Sequence, residues 1–155
     1  MAADALDSRG GPFRSPVVVG LGNPGRRYAK TRHNVGFLVA DELAERYGGR
    51  WKRAKRAEVS EIDIGPYPVT LVKPQTYMNN SGQAVGTYGA DRLIVVHDDL
   101  DLDAGVVRVK VGGGPGGHNG LRSIIGQLGR EFVRVRVGVG RPEPGYDPRD
   151  YVLSR

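Results

Sequence analysis

The chain has 155 residues, 39% of them hydrophobic, which suits one globular domain with a packed core. It contains no cysteine, which excludes disulfides, a thiol nucleophile and thiolate metal ligands. The formal net charge is +6, and residues 106–155 hold nine lysines and arginines against four acidic residues, so either an anionic partner or a plain solvated basic surface fits this charge.

Residues 1–16 are predicted to be a disordered leader ahead of one domain that spans residues 17–155. The leader lacks the apolar stretch that a signal peptide needs, and no later segment is apolar over the length that crosses a membrane. We therefore expect a cytoplasmic protein without a membrane anchor.

Apolar periodicity predicts strands and helices that alternate along the chain. A strand over residues 17–22 precedes a helix that Asn34 is predicted to cap. The apolar face of this helix is predicted to comprise Val35, Val39, Leu43 and Tyr47. The later elements are a basic segment at 51–56, a hairpin of 59–64 and 67–72, strands at 93–96, 106–111 and 132–139, and a helix at 121–128. On the last strand Arg134 and Arg136 are expected on the polar face. This order predicts one α/β domain built on a buried, twisted sheet.

The three histidines of the chain, His33, His97 and His118, each lie within a run of polar residues or glycines. Imidazole titrates nearest to neutral pH, so histidine is the usual general base of enzymes. The polar runs follow predicted strands, which is where the sites of α/β proteins gather. The sequence therefore predicts an enzyme whose base is one of these histidines.

Other chemistries fit the sequence less well. Neither glycine run, 20–25 or 112–117, has a full nucleotide-binding signature, and the acidic run from Asp99 lacks the register of a calcium loop. A metal site made of His97, Asp98 and another histidine stays open, but it ranks below metal-free hydrolysis. In that reaction a histidine activates water and a carboxylate orients the histidine.

Several motifs recur in a fixed order from residue 17 onward. They are VGLGNPG at 19–25, Tyr28, TRHNVGF at 31–37, KPQTYMN at 73–79, HDDLD at 97–101, and the glycine run from 112 that leads into HNGLRSI at 118–124. Together they resemble the bacterial peptidyl-tRNA hydrolase family. The resemblance implies a single α/β domain with a mixed, twisted sheet flanked by helices. It also implies hydrolysis of the ester that joins a peptide to tRNA, by a monomer that needs no metal or cofactor.

The resemblance also implies roles for individual residues. His33 would be the base that activates water, Asp98 would hold it in its basic form, and Asn23 would help to distinguish a blocked amine from a free one. The residues implied to contact the tRNA terminus or to line the cleft are Tyr28, Tyr77, Met78, Asn79, His118 and Asn119. Lys110 and Arg136 fall where the family keeps a cationic clamp for tRNA phosphate.

Two departures from the family pattern leave other hypotheses open. The segment 83–92 is shorter than the helix and loop of the family, and the sequence ends at Arg155, so the further C-terminal helix of the family is expected to be absent. A truncated or degenerate paralogue that binds RNA without turnover fits these departures. A third hypothesis is a metal-dependent hydrolase of another ester or amide.

Overall fold

A seven-stranded sheet forms the centre of the structure, a computed structural model that describes residues 15–155. The strands are β1 (Val17–Gly20), β2 (Lys52–Ala54), β3 (Ala57–Ile64), β4 (Tyr67–Pro74), β5 (Leu93–Asp99), β6 (Val107–Val111) and β7 (Val133–Gly138). The helices are α1 (Val35–Arg46), α2 (Ser81–Val85), α3 (Asn119–Leu128) and α4 (Pro148–Val152). Of the predicted leader, only Ser15 and Pro16 lie inside the described residues.

The sheet is mixed, as the family resemblance implies, with the strand order β2-β3-β4-β1-β5-β7-β6. Strand β1 runs parallel to β4 and β5, and β5 runs parallel to β7. The pairs β2–β3, β3–β4 and β6–β7 are antiparallel. Because parallel strands end at one edge of a sheet, the loops after β1, β4 and β5 start side by side. Within residues 15–155, no helix has the length and apolar character needed to cross a membrane.

Helices cover both faces of the sheet, so the central strands are apolar on both sides. On one face, Val17 and Val19 of β1 pack with Ile124 of α3 in a fully buried cluster. On the other face, Val18 packs with Ala44 of α1. The alternation of β1 therefore fixes the two helical layers on opposite sides of the sheet.

The buried face of α1 differs from the predicted one. Val35, Val39 and Leu43 are only half-buried and Tyr47 is exposed, whereas the buried residues are Gly36, Ala40 and Ala44. A Cβ atom on Gly36 would overlap the backbone of Leu21 and Val96. Glycine therefore lets the helix lie against the backbone of the sheet. This close approach brings the residues just before α1 next to the ends of β1 and β5.

The last strand also departs from prediction at one residue. Arg134 is not on an exposed polar face but is 2% exposed. Its guanidinium donates hydrogen bonds to the carbonyl oxygens of Gly113 and Gly114. Arg134 therefore holds the glycine run that precedes α3 against β7.

Gly36→Ala is expected to lower the free energy of unfolding by about 1–3 kcal/mol, because the added methyl group overlaps neighbouring backbone atoms. Gly126→Ala is the matched control, since α3 leaves open space around that Cβ position. It is expected to stabilise the protein by roughly 0.5–1 kcal/mol through helix propensity. Urea unfolding followed by circular dichroism measures both changes, and equal effects would contradict the close approach as the cause.

Candidate active site

A cleft of about 500 Å³ opens where the loops after β1, β4 and β5 meet. The start of α3 and the α4 segment complete its walls. The predicted site residues that line it are Asn23, Tyr28, His33, Tyr77, Met78, Asn79, Asp98, His118 and Asn119. Lys110 and Arg136 line a neighbouring cavity of about 260 Å³, which shares Asp98 and His118 with the cleft. The fold thus gathers most of the predicted site in one place.

His33 and Asp98 form a buried hydrogen-bonded pair in the cleft. Nδ1 of His33 lies 2.8 Å from Oδ2 and 3.0 Å from Oδ1 of Asp98. An ionised carboxylate can only accept, so Nδ1 carries the proton and donates it. The other ring nitrogen, Nε2, is left with a free lone pair, which is the form that a general base requires.

His118 binds the same carboxylate from the other side. Its Nε2 lies 2.7 Å from Oδ1 of Asp98, while its Nδ1 accepts from the backbone N–H groups of Gly120 and Leu121, at 3.1 and 3.3 Å. Because backbone N–H groups only donate, Nδ1 is unprotonated and Nε2 is the nitrogen that carries the proton. His118 thus caps α3 and donates a hydrogen bond to Asp98.

The two histidines keep Asp98 ionised. Burial alone would raise the pKa of the Asp98 carboxyl. The hydrogen bonds that it accepts from His118 and His33, together with the positive charge that these rings carry when they are protonated, outweigh burial and hold that pKa well below its usual range. Asp98 is therefore a carboxylate at neutral pH and fixes the tautomers of both histidines.

The donor set does not suit a metal ion. Within residues 15–155 the one cluster with metal-ligand spacing is His33, Asp98 and His118, whose donor atoms lie within 4.8 Å of one another. His118 must keep its proton on Nε2 as long as Nδ1 accepts two backbone N–H groups. Coordination through Nε2 would therefore require an imidazolate or the loss of the cap of α3.

Asn23 presents an amide N–H₂ group to the cleft. Its Oδ1 accepts a hydrogen bond of 2.7 Å from the backbone N–H of Met78. The orientation of the amide follows from this bond, because a backbone N–H requires an acceptor. The Nδ2 group of Asn23 is thus the donor left to meet a substrate.

Asn34 holds the backbone of Asn23, a function that the sequence analysis did not anticipate. The Asn34 side chain accepts from Asn23 N and donates to Asn23 O, both at 2.8 Å. It makes no capping bond to α1, contrary to the prediction, and it is only 1% exposed. Its place directly after His33 in a polar run was the available signal.

The segment around α4 forms a wall of the cleft, which the sequence analysis also did not predict. Arg32 donates its backbone N–H to Ser154 O at 2.9 Å, and its guanidinium lies 4.1 Å from the ring centroid of Tyr151. These contacts fasten the segment to the residue that precedes His33. The members of this segment that line the cleft are Pro148, Arg149, Val152 and Leu153.

Lys110 and Arg136 have different surroundings in the neighbouring cavity. Lys110 lies on the exposed edge strand β6, whereas Nε of Arg136 donates to Oδ2 of Asp99 at 2.8 Å. Burial alone would raise the pKa of Asp99, but the Arg136 guanidinium holds it below its usual value.

His97 is buried behind the Asp98 cluster. Its Nδ1 donates to the carbonyl oxygen of Asp98 at 2.8 Å, and its ring lies edge-on to His118 with centroids 5.1 Å apart. Burial, aided by the nearby His118, lowers the pKa of His97 to about 4. His97 is therefore neutral at physiological pH and does not line the main cleft.

Known proteins are similar to this chain in sequence and in fold. The family model for peptidyl-tRNA hydrolase matches residues 17–155. The peptidyl-tRNA hydrolase of Rubrobacter xylanophilus is 64% identical over 137 residues, which cover 88% of this chain and 80% of the relative. That of Mycobacterium bovis is 51% identical over 147 residues, or 89% of this chain and 77% of the relative. A crystal structure of the Acinetobacter baumannii peptidyl-tRNA hydrolase is 40% identical, with a TM-score of 0.86 over 90% of this chain and 76% of that chain.

The buried His97 predicts a loss of stability as the pH falls from 6.5 towards 4. In this window the unfolded chain takes up a proton that the folded His97 resists, so lower pH favours unfolding, by roughly 2–3 kcal/mol in all. His97→Gln removes this titration. Urea unfolding across the window should therefore show the stability of the wild type falling relative to the variant, and a constant difference would contradict the assignment.

Proposed function

The chain belongs to the peptidyl-tRNA hydrolase family, and we propose that the cleft around His33 is where it hydrolyses the ester bond between peptide and tRNA. The reaction releases the peptide and returns tRNA for reuse. The observation that carries the proposal is the buried His33–Asp98 pair, in which the proton on Nδ1 leaves Nε2 free to act as a base.

The chemistry needs one water molecule and this pair. Nε2 of His33 takes a proton from water, and the resulting hydroxide oxygen attacks the ester carbonyl carbon. Asp98 stabilises the imidazolium that forms. When the ester C–O bond breaks, the imidazolium gives its proton to the leaving ribose oxygen. The products are a peptide with a free carboxylate and a tRNA with a free terminal hydroxyl group, and His33 is ready for another turnover.

Asn23 supplies selectivity for a blocked amine. In peptidyl-tRNA, the amine next to the ester is acylated, so its acyl carbonyl oxygen is an acceptor for the Nδ2 group of Asn23. A free aminoacyl group offers an ammonium group instead, which can only donate. Two facing donors repel each other, and the site then leaves Asn23 unpaired.

The other contacts with the substrate lie in the cleft and in the neighbouring cavity. Tyr28, Tyr77, Asn79 and Asn119 bind the tRNA terminus, while Met78 and His118 form part of the lining. Lys110 and Arg136 bind tRNA phosphate, an assignment supported by their cavity, which continues from the cleft. The basic excess of residues 106–155 agrees with this assignment.

One copy of the chain is proposed to act as a cytoplasmic monomer without metal or cofactor, with residues 17–155 as its domain. All eleven assigned residues come from one chain and lie in the range that the family model matches. Nothing observed in residues 15–155 favours the alternative of an RNA-binding chain without turnover. The donor set of the cleft likewise disfavours the metal-dependent alternative.

His33→Ala is expected to reduce turnover of peptidyl-tRNA by roughly 10²–10⁴-fold, because the general base is lost. Binding of deacylated tRNA should persist, since the phosphate and terminal contacts remain. The wild type should keep its activity after dialysis against EDTA. Release of peptide is measured by acid precipitation of labelled substrate. Chelator-sensitive turnover would favour the metal-dependent alternative, and a folded wild type without turnover would overturn the proposal.

Asn23→Asp is expected to lower kcat/KM for peptidyl-tRNA by roughly 10²-fold or more, because the carboxylate keeps an acceptor for Met78 N–H but loses the donor. Asn80→Asp is the matched control, since Asn80 lies in the same turn as Met78 but is exposed and does not line the cleft. Steady-state kinetics give kcat/KM for both variants, and only Asn23→Asp should show the large loss. Similar losses in the two would assign the effect to added negative charge instead of the missing donor.

A further inference from the structure

A group of exposed cations lies in the segments next to Tyr28 and Tyr77, two residues that line the cleft. It comprises Arg26, Arg27, Lys30, Lys55 and Arg56, all exposed, and is called here the tyrosine-side rim. None of these residues lines the cleft or its neighbouring cavity. The function proposed above does not use them.

The fold brings the two halves of this rim together from distant parts of the sequence. Arg26, Arg27 and Lys30 lie in the loop after β1, which also carries Tyr28. Lys55 and Arg56 form the turn between β2 and β3. That turn lies at the end of β4, because Gln75 N–H donates to Arg56 O at 2.7 Å and Ala57 pairs with Pro74.

Two tyrosines join the halves. Tyr77, which follows Gln75 by two residues, is 61% exposed, and its ring centroid lies 6.3 Å from that of Tyr28. The guanidinium of Arg27 lies 5.4 Å from the Tyr28 ring centroid. The rim therefore combines cations with accessible aromatic rings, the combination that binds single-stranded nucleic acid through backbone charge and base stacking.

The cations of the rim lack acidic partners. Among residues 15–155, none of the five makes an ion pair with a carboxylate, in contrast to Lys73, Arg136 and Arg141. The segments that supply them, 20–40 and 50–57, contain no aspartate or glutamate at all. A concentrated positive charge of this kind is complementary to an array of phosphates, not to a surface of mixed charge.

We propose that the tyrosine-side rim is a second phosphate-binding surface for RNA, on a side of the cleft away from Lys110 and Arg136. It binds the phosphodiester backbone of the RNA whose 3′ terminus lies in the cleft, so the inference rests on the proposed function. An acidic protein is the less suitable partner, because the aromatic pair beside the cations offers base stacking and opens directly into the cleft.

The test compares two triple variants that remove the same charge. The rim variant carries Arg26→Gln, Lys55→Gln and Arg56→Gln. The control carries Arg46→Gln, Arg50→Gln and Arg130→Gln, three exposed cations of which Arg46 ends α1 and Arg130 precedes β7. Both variants have the same net charge, so long-range attraction is matched and only local contacts differ. A third variant with Arg26→Lys, Lys55→Arg and Arg56→Lys keeps the charge of the rim.

The readout is binding of a fluorescent RNA hairpin with a single-stranded 3′ end over a series of salt concentrations. The rim variant should bind roughly 10-fold more weakly at low salt, and its slope of log K against log salt should be smaller by about 2–3 units. The control and the charge-conserving variant should keep the wild-type slope. Equal slopes for the rim and control variants would overturn the proposal.

Hydrolysis assays separate this inference from the proposed function. An N-acetyl-aminoacyl ester of adenosine carries no phosphate, so the rim variant should hydrolyse it as fast as the wild type. With peptidyl-tRNA, the rim variant should show a raised KM with little change in kcat. A wild type that hydrolyses neither substrate would refute the proposed function. The salt dependence of RNA binding would still show whether the rim binds phosphate.

Discussion

The site depends on one buried carboxylate shared between two histidines. Asp98 lies at the end of β5 and accepts from His33, just before α1, and from His118, at the start of α3. A buried carboxylate is stable only when donors satisfy it, so the fold must deliver both histidines to it. In return, Asp98 fixes the proton of each ring. The free lone pair on Nε2 of His33 therefore depends on contacts that tie β5 to both helical layers.

The same principle organises the other polar part of the cleft. Asn34 satisfies the N–H and carbonyl of Asn23, and Met78 N–H satisfies the Asn23 side-chain oxygen. Every group of Asn23 except its amide N–H₂ is thus engaged within the protein. Both networks leave one functional atom free, a lone pair on His33 and a donor on Asn23, because all the other groups have fixed partners. The two free atoms are thus held in place before a substrate binds, because the groups around them are hydrogen-bonded within the protein.

The pattern of the sequence predicted the α/β fold, and the family resemblance added the mixed sheet and a set of site residues, most of which the fold gathers in one cleft. The position of a motif at the end of an apolar strand, such as that of Asp98, could be predicted because strand ends determine where loops meet. Sequence reasoning failed where the decisive partner is distant in sequence. The role of Asn34 requires Asn23, eleven residues away, and the burial of Arg134 requires two glycine carbonyls. The net charge pointed to the last third of the chain, because acidic residues in the first 105 positions offset the cations of residues 26–56, and the basic segment 51–56 was not assigned to a site.

The backbone contact between α1 and the sheet has a consequence for how activity is lost. At Gly36 no side chain separates the helix from Leu21 and Val96, so no change of rotamer can accommodate a shift of α1. His33 lies in the turn directly before this helix, so a movement of its backbone away from Asp98 would pull on the start of α1. The close contact at Gly36 therefore opposes local fraying at the start of α1. Loss of the His33–Asp98 contact and loss of the folded core should therefore be one cooperative event, with heat inactivation and global melting occurring together.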